Sequence, residues 1–144
     1  MNIVDANVLL YAVNEDAERH IAARDWLDGA LNGQEPIGFT WTVLLAFIRL
    51  STKADLFPSP LTADEATGQV EEWISQRPSI VVEPTPRHLQ LFSGLLAQTG
   101  SGGNLTNDAH LAALATEHSA TVVTFDNDFG RFTGVSWHMP DGRT

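Results

Sequence analysis

The stretch Thr121-Val122-Val123-Thr124-Phe125-Asp126-Asn127-Asp128 decides the fold: an apolar, β-branched run ends in two carboxylates. Asn2-Ile3-Val4-Asp5 has the same form at the other end of the chain. Apolar side chains on both faces mark each run as a buried strand. In an open α/β sheet the ligand crevice lies beyond the carboxyl ends of the strands. Asp5 and Asp126 meet there if their strands are neighbours. Asp108 lies near the start of the small-residue helix that leads into the second run. Two unit charges about 5 Å apart repel by roughly 3 kcal/mol at an effective dielectric of 20. Three carboxylates together therefore call for a cation or a captured proton. Oxygen-only ligands suit Mg²⁺ or Mn²⁺.

Working outward, strand-like and helix-like segments alternate. Asn7 to Val13 reads as a short helix. Ala17 to Leu31 carries Ala23, Trp26, Leu27, Ala30 and Leu31 at helical spacing, with Gly33 as its stop. Pro36 to Phe39 reads as a strand, and Thr42 to Leu50, apolar almost all round, as a buried helix. Ser51 to Leu61 is a loop. Thr62-Ala63-Asp64-Glu65 is a capping box that opens a helix bearing Ala66, Val70, Trp73 and Ile74. Ser79 to Val82 reads as a strand. Thr85-Pro86 starts a helix whose buried stripe is Leu89, Phe92, Leu95 and Leu96. Gly100 to Gly103 is a flexible loop, Leu105 to His118 a helix and Val135 to Trp137 a last strand. The alternation predicts an α/β fold of three layers, with a mostly parallel sheet of four to five strands flanked by helices.

The 144 residues are a length for a single domain, 1–144, and 43% of them are hydrophobic. A chain of this size buries roughly two-thirds of its unfolded surface and needs no staple. The absence of cysteine excludes disulfides and thiolate metal sites. Asp5 interrupts the apolar N-terminus, no basic residue precedes it, and no run approaches a membrane span, so the expectation is a soluble cytoplasmic protein. The net charge is −10, and Lys53 is the only lysine. Such a surface disfavours broad non-specific binding to nucleic acid and favours a basic protein partner.

Three segments occur in order: Asp5-Ala6-Asn7-Val8-Leu9-Leu10, Asn104 through Ala115 around Asp108, and Val122 through Phe129 around Asp126. Together they resemble the PIN domain, in particular the VapC-type ribonuclease toxins of toxin–antitoxin pairs. The resemblance covers the whole chain. It implies an acidic cluster that holds Mg²⁺ or Mn²⁺ and cleaves RNA phosphodiesters to a 3′-hydroxyl and a 5′-phosphate. It assigns catalytic and metal-binding roles to Asp5, Asp108 and Asp126, with Asp128 as a further metal ligand. Asn7 is a secondary candidate, placed to hydrogen-bond a water at the metal. Arg49, which interrupts the apolar helix, is another, for phosphate contact. A homodimer and a small antitoxin with a basic segment are the implied partners.

One acid that many members carry is absent. The position on the helix after the second strand aligns with Ala46, and Asp128 is the residue that can supply the missing charge. The alternative is therefore a PIN-like RNA- or protein-binding module with weakened turnover. A phospho-acceptor receiver domain fits less well, because its lysine would end a late strand and Lys53 lies in a loop. A phosphatase of the Asp-x-Asp class has no room after Asp126 and Asp128. The five histidines show no metal-ligand spacing. Trp26, Trp41 and Trp73 fit helix packing, and Gly100 to Gly103 lacks the lysine of a phosphate loop.

Overall fold

The two apolar runs that end in acids are adjacent strands. In the computed structural model, which describes residues 1–55, 57–100 and 102–141, β1 (Asn2–Val4) and β4 (Thr121–Val123) pair in parallel. Val4 lies opposite Val123, so both strands end at the same edge. Ile3, Val4, Val122 and Val123 are fully buried. β2 (Ile37–Phe39), β3 (Ser79–Val81) and β5 (Trp137–His138) complete one parallel sheet in the order β3-β2-β1-β4-β5. The expected four to five mostly parallel strands are, among the described residues, five and all parallel.

Among the described residues the connections place six helices: α1 (Ala6–Val13), α2 (His20–Leu31), α3 (Trp41–Ser51), α4 (Ala63–Ile74), α5 (His88–Thr99) and α6 (Thr106–Glu117). α1 to α4 pack on one another in series, and α5 packs on α6. β1 leads through α1 and α2 to β2, and β2 through α3 and α4 to β3, each step moving one way across the sheet. β3 leads through α5 and α6 back to β4. Right-handed crossovers that run in opposite directions put their helices on opposite faces, which gives the three layers. The direction reverses between β1 and β4, and that reversal opens the crevice.

Local chemistry sets most boundaries. Thr62 and Glu65 form the reciprocal capping box of α4, at 3.1 and 3.0 Å. Gly100, with φ of 74°, ends α5 in the left-handed region that glycine tolerates. Ser101 of the expected glycine loop and Leu56 of the expected 51–61 loop lie outside the described residues. Gly103–Leu105 is a 3-10 turn leading into α6. Six residues of α6, Ala109 and Leu111 to Ala115, are buried.

Several expectations need correction. α3 is not buried all round: Leu45 is 58% exposed and Trp41 47%, four residues apart on one face. An apolar surface alone does not show which neighbours cover it. Trp41 therefore does not pack in the core, whereas Trp73 does, edge-on to Phe47. α5 starts at His88, later than the Thr85-Pro86 signal, and Leu89 is 74% exposed while Leu91 takes its place beside Leu95. α2 starts at His20 rather than Ala17. The last strand is Trp137–His138. Among the described residues, no helix is long and apolar enough to cross a membrane.

Gly38, in the middle of β2, is required by close packing. A Cβ there would lie 2.8 Å from Val82 Cγ2 and 3.0 Å from Ile3 Cγ1. Overpacking a core site costs about 1–3 kcal/mol. Gly38→Ala is therefore expected to lower the unfolding free energy by that amount, read as a lower denaturant midpoint with an unchanged slope. A variant as stable as the parent would show that the β1–β2–β3 packing is wrongly described.

Candidate metal centre

Asp5 follows β1 directly and caps α1. Its Oδ1 accepts from the Ala6 amide at 2.7 Å, and its own N–H donates to the Val123 carbonyl at 2.9 Å. Its Oδ2 accepts from the fully buried Thr124 hydroxyl at 2.8 Å. The same hydroxyl oxygen accepts from the Asp126 amide at 3.0 Å. Thr124 thus ties the end of β1 to the turn that carries Asp126. Asp126 in turn accepts from the Asp128 amide at 2.9 Å and starts a 3-10 turn, Asn127–Arg131. Asp108 comes from the first turn of α6.

Asp108, Asp126 and Asp128 each bring a carboxylate oxygen within 4.8 Å of the others. Ligand oxygens on a Mg²⁺ lie closer together than this, so the carboxylates would draw together on binding one. Asp5 is not in that set of three but is coupled to it. Burial pushes the Asp5 carboxyl up, against the hydrogen bonds from Thr124 and Ala6, and the nearby Asp126 charge adds to the rise. Asp108 is pushed up to about 7, by burial first and then by the charges of Asp5 and Asp126, a hydrogen bond with Asp126, and the charge of Asp128. A cluster whose members raise one another's proton affinity is one that a hard cation would relieve. The donor set, all carboxylate oxygen, fits Mg²⁺ or Mn²⁺ and not a thiolate or imidazole metal.

A cavity of about 160 Å³ opens beside the cluster, lined by Asp5, Asp108, His110 and, from α3, Thr42 and Ala46. Ala46 therefore faces the cleft, at the place where a further acid would join the others. Asp128 also meets Arg131 at 3.1 Å, but both side chains are substantially exposed, and such pairs contribute little.

The secondary candidates stand differently. The Asn7 amide is spent inside the protein: its oxygen accepts from the Phe125 N–H at 3.1 Å, and its nitrogen donates to Thr124 at 3.2 Å. The same nitrogen lies 3.5 Å from Asp5 Oδ2, so Asn7 ties the segment after β4 to the Asp5 carboxylate. Arg49 is exposed, in the last turn of α3, and does not line the cavity. The histidines are not all scattered. His88 and His110 form a hydrogen-bonded chain with Glu117, and burial pushes His110 down. Thr124 had one signal in the sequence, a hydroxyl inside an apolar strand run. The chain of His88, His110 and Glu117 had none, since its members stand 22 and 29 positions apart.

Comparison with known proteins gives the family. The PIN domain family matches residues 3–135. The chain is 54% identical to Ribonuclease VapC37 of Mycobacterium tuberculosis over 140 residues, 97% of each chain. It is 38% identical to Ribonuclease VapC33 of the same organism, over 97% of this chain and 98% of that one. Among solved structures, DNA-bound VapBC from Salmonella typhimurium matches with a TM-score of 0.68 at 18% identity, covering 96% of this chain and 97% of that one. Mycobacterium tuberculosis VapC20, described as a sarcin-ricin loop cleaving toxin, matches with a TM-score of 0.68 at 16% identity, over 94% and 99%. The chain belongs to the PIN-domain family.

Two outcomes follow from the electrostatics. Asp108 keeps its proton up to about pH 7 when folded, against an ordinary value of 3.8. Between these values the folded state binds more protons than the unfolded state, so stability without divalent metal falls as pH rises through the window. In chelator the melting temperature should decline from about pH 4 to about pH 7, and Asp108→Asn should flatten that decline. A rising profile there would overturn the assignment. Ala46→Glu, placing a further carboxylate at the cleft, should lower the melting temperature in chelator and gain a larger shift from Mn²⁺ than the parent. Destabilisation that Mn²⁺ leaves untouched would place position 46 away from the metal.

Proposed function

We propose that this member of the PIN-domain family is a divalent-metal-dependent endoribonuclease toxin that hydrolyses RNA phosphodiester bonds and is neutralised by a cognate antitoxin. The observation that carries the reading is the convergence of carboxylate oxygens from Asp108, Asp126 and Asp128 within 4.8 Å, beside Asp5, at the carboxyl edge of β1 and β4. The likeness to ribonucleases over 97% of the chain supports RNA as the substrate class.

In this reading Asp108, Asp126 and Asp128 hold Mg²⁺ or Mn²⁺, and Asp5 completes the shell. A divalent cation bound there supplies Lewis acidity to a phosphate oxygen and lowers the pKa of an attacking water. The chain's own part is placement. Thr124 and the Ala6 amide fix the Asp5 carboxylate, and the Asp128 amide fixes that of Asp126. A water oxygen in line with the leaving 3′-oxygen forms the new P–O bond as the P–O3′ bond breaks. The products are a 5′-phosphate and a 3′-hydroxyl, and the water's proton passes to solvent or to the leaving oxygen. Asp128 stands in for the acid absent at Ala46. That assignment favours an active enzyme over a binding module.

The antitoxin's basic segment takes the place of the cation, because an Arg bridging two carboxylates offsets part of the same negative charge. The exposed Trp41 and Leu45 supply the apolar part of a homodimer contact beside the cleft. Purified protein with Mn²⁺ should cut RNA to fragments bearing a 5′-phosphate. Asp126→Asn should slow this by at least about 100-fold, the upper end of the cost of losing even an outer-shell partner at a metal. Cleavage that persists in Asp126→Asn, or in chelator, would rule the mechanism out.

A further inference from the structure

Arg19 stands at the start of α2, partly exposed, on a loop that also carries Glu15, Asp16 and Glu18. A guanidinium fork suits carboxylates, yet this one makes no ion pair or side-chain hydrogen bond among the described residues. It lies instead over the Phe125 ring, with Cζ 4.9 Å from the centroid. Phe125 follows β4 and directly precedes Asp126, so the guanidinium is held at the carboxyl edge of the sheet. The support beneath it is fixed. The Phe125 N–H donates to Asn7 Oδ1 at 3.1 Å, and the Asp126 N–H donates to Thr124 Oγ1 at 3.0 Å. Tyr11 packs on the Phe125 ring with centroids 5.5 Å apart. His20, the residue after Arg19, is hydrogen-bonded through Nδ1 to the Tyr11 carbonyl oxygen at 2.8 Å. α1, the start of α2 and the turn before Asp126 thus form one assembly, with Arg19 partly open to solvent. Its charge is not among those that shift Asp5 or Asp108, so it flanks the acid cluster and does not neutralise it.

We propose that Arg19 is an RNA-binding residue that holds a backbone phosphate next to the scissile one. The inference rests on the reading that this cleft cuts RNA. An aromatic ring attracts a guanidinium through its face and takes none of its N–H groups as hydrogen-bond donors. Those donors stay free, in the planar fork that matches two phosphate oxygens. Consecutive Cα atoms lie about 3.8 Å apart, so a group over Phe125 flanks a cation at Asp126 and does not coincide with it. The anionic group of the substrate that falls there is a neighbouring phosphate. Other arginines are engaged: Arg131 meets Asp128 at 3.1 Å and Arg24 meets Asp25 at 3.0 Å. In a chain of net charge −10, an unpaired cation fixed beside the cleft is a scarce counterpart to an RNA backbone. The antitoxin segment proposed for the acids is itself basic, and like charges brought together disfavour a partner. An Arg19 that merely covered Phe125 would account for the packing, but cleavage would not depend on its charge.

Two variants separate these roles. Arg19→Met keeps an aliphatic cover over Phe125 and removes the charge. Arg19→Lys keeps the charge and removes the fork. Each is read in the full chain with Mn²⁺, by steady-state cleavage of a single-stranded RNA of mixed sequence at several KCl concentrations. A contact made equally in the ground state and the transition state changes KM and not kcat. Arg19→Met should therefore raise KM about 10-fold, the worth of one charge-assisted hydrogen bond, with kcat unchanged. Losing one phosphate contact on a single strand reduces the slope of log(kcat/KM) against log salt by about 0.7, and Arg19→Met should show that smaller slope. Arg19→Lys should keep the parent's slope, with KM between the other two. Both variants should bind Mn²⁺ as the parent does, which shows that the acid cluster is undisturbed. Arg19→Met with the parent's KM and salt slope overturns the proposal and leaves the nuclease reading intact, and a lower melting temperature on its own then assigns Arg19 to packing alone. An Arg19→Lys enzyme whose salt slope falls as far as that of Arg19→Met also overturns it. A parent that cuts no RNA with Mn²⁺ overturns the nuclease reading, and the phosphate contact falls with it.

Discussion

Mutual repulsion among carboxylates, held in place by the parallel pairing of β1 with β4, is the constraint on which the rest depends. Val4 opposite Val123 brings Asp5 and Asp126 to one edge. The apolar core beneath, with Ile3, Val4, Val122 and Val123 fully buried, leaves the two strands no other register. Hydrogen bonds from Ala6, Thr124 and the Asp128 amide then fix the carboxylates in place. The fold thus holds charges together that would separate in a free peptide, and the proton affinity of Asp108, raised to about 7, expresses that conflict.

The fold was legible where chemistry is local. Apolar runs ending in acids marked β1 and β4, and Thr62 with Glu65 marked the start of α4. Burial was less legible. Trp41, Leu45 and Leu89 are apolar yet exposed, because periodicity reports amphipathicity and not the position of neighbouring elements. Asp108, Asp126 and Asp128 could be picked from the sequence and are brought together. The Asn7 and Thr124 contacts between the segments that follow β1 and β4 span more than a hundred positions and leave no local trace. The same is true of Glu117, His88 and His110, which look like unrelated surface residues until α5 and α6 are packed.

The acidic balance of the chain is consistent with this organisation. With one lysine and seven arginines against 18 acids, the surface does not gather nucleic acid by charge alone. In the proposed function the cleft carries the recognition, because a cation held by the acids would reverse the local sign there. Ala46 brings no acid to the α3 wall of the cavity, while Asp128 joins Asp108 and Asp126 from the turn after β4.

The most direct test of the central claim is a titration with Mn²⁺ followed by electron paramagnetic resonance, which counts free ion and so measures binding without reference to catalysis or melting. The account predicts saturable binding that is lost in Asp126→Asn and in Asp108→Asn and retained in Arg49→Ala. Binding that is absent from the parent at millimolar Mn²⁺, or that survives both aspartate substitutions, would contradict it.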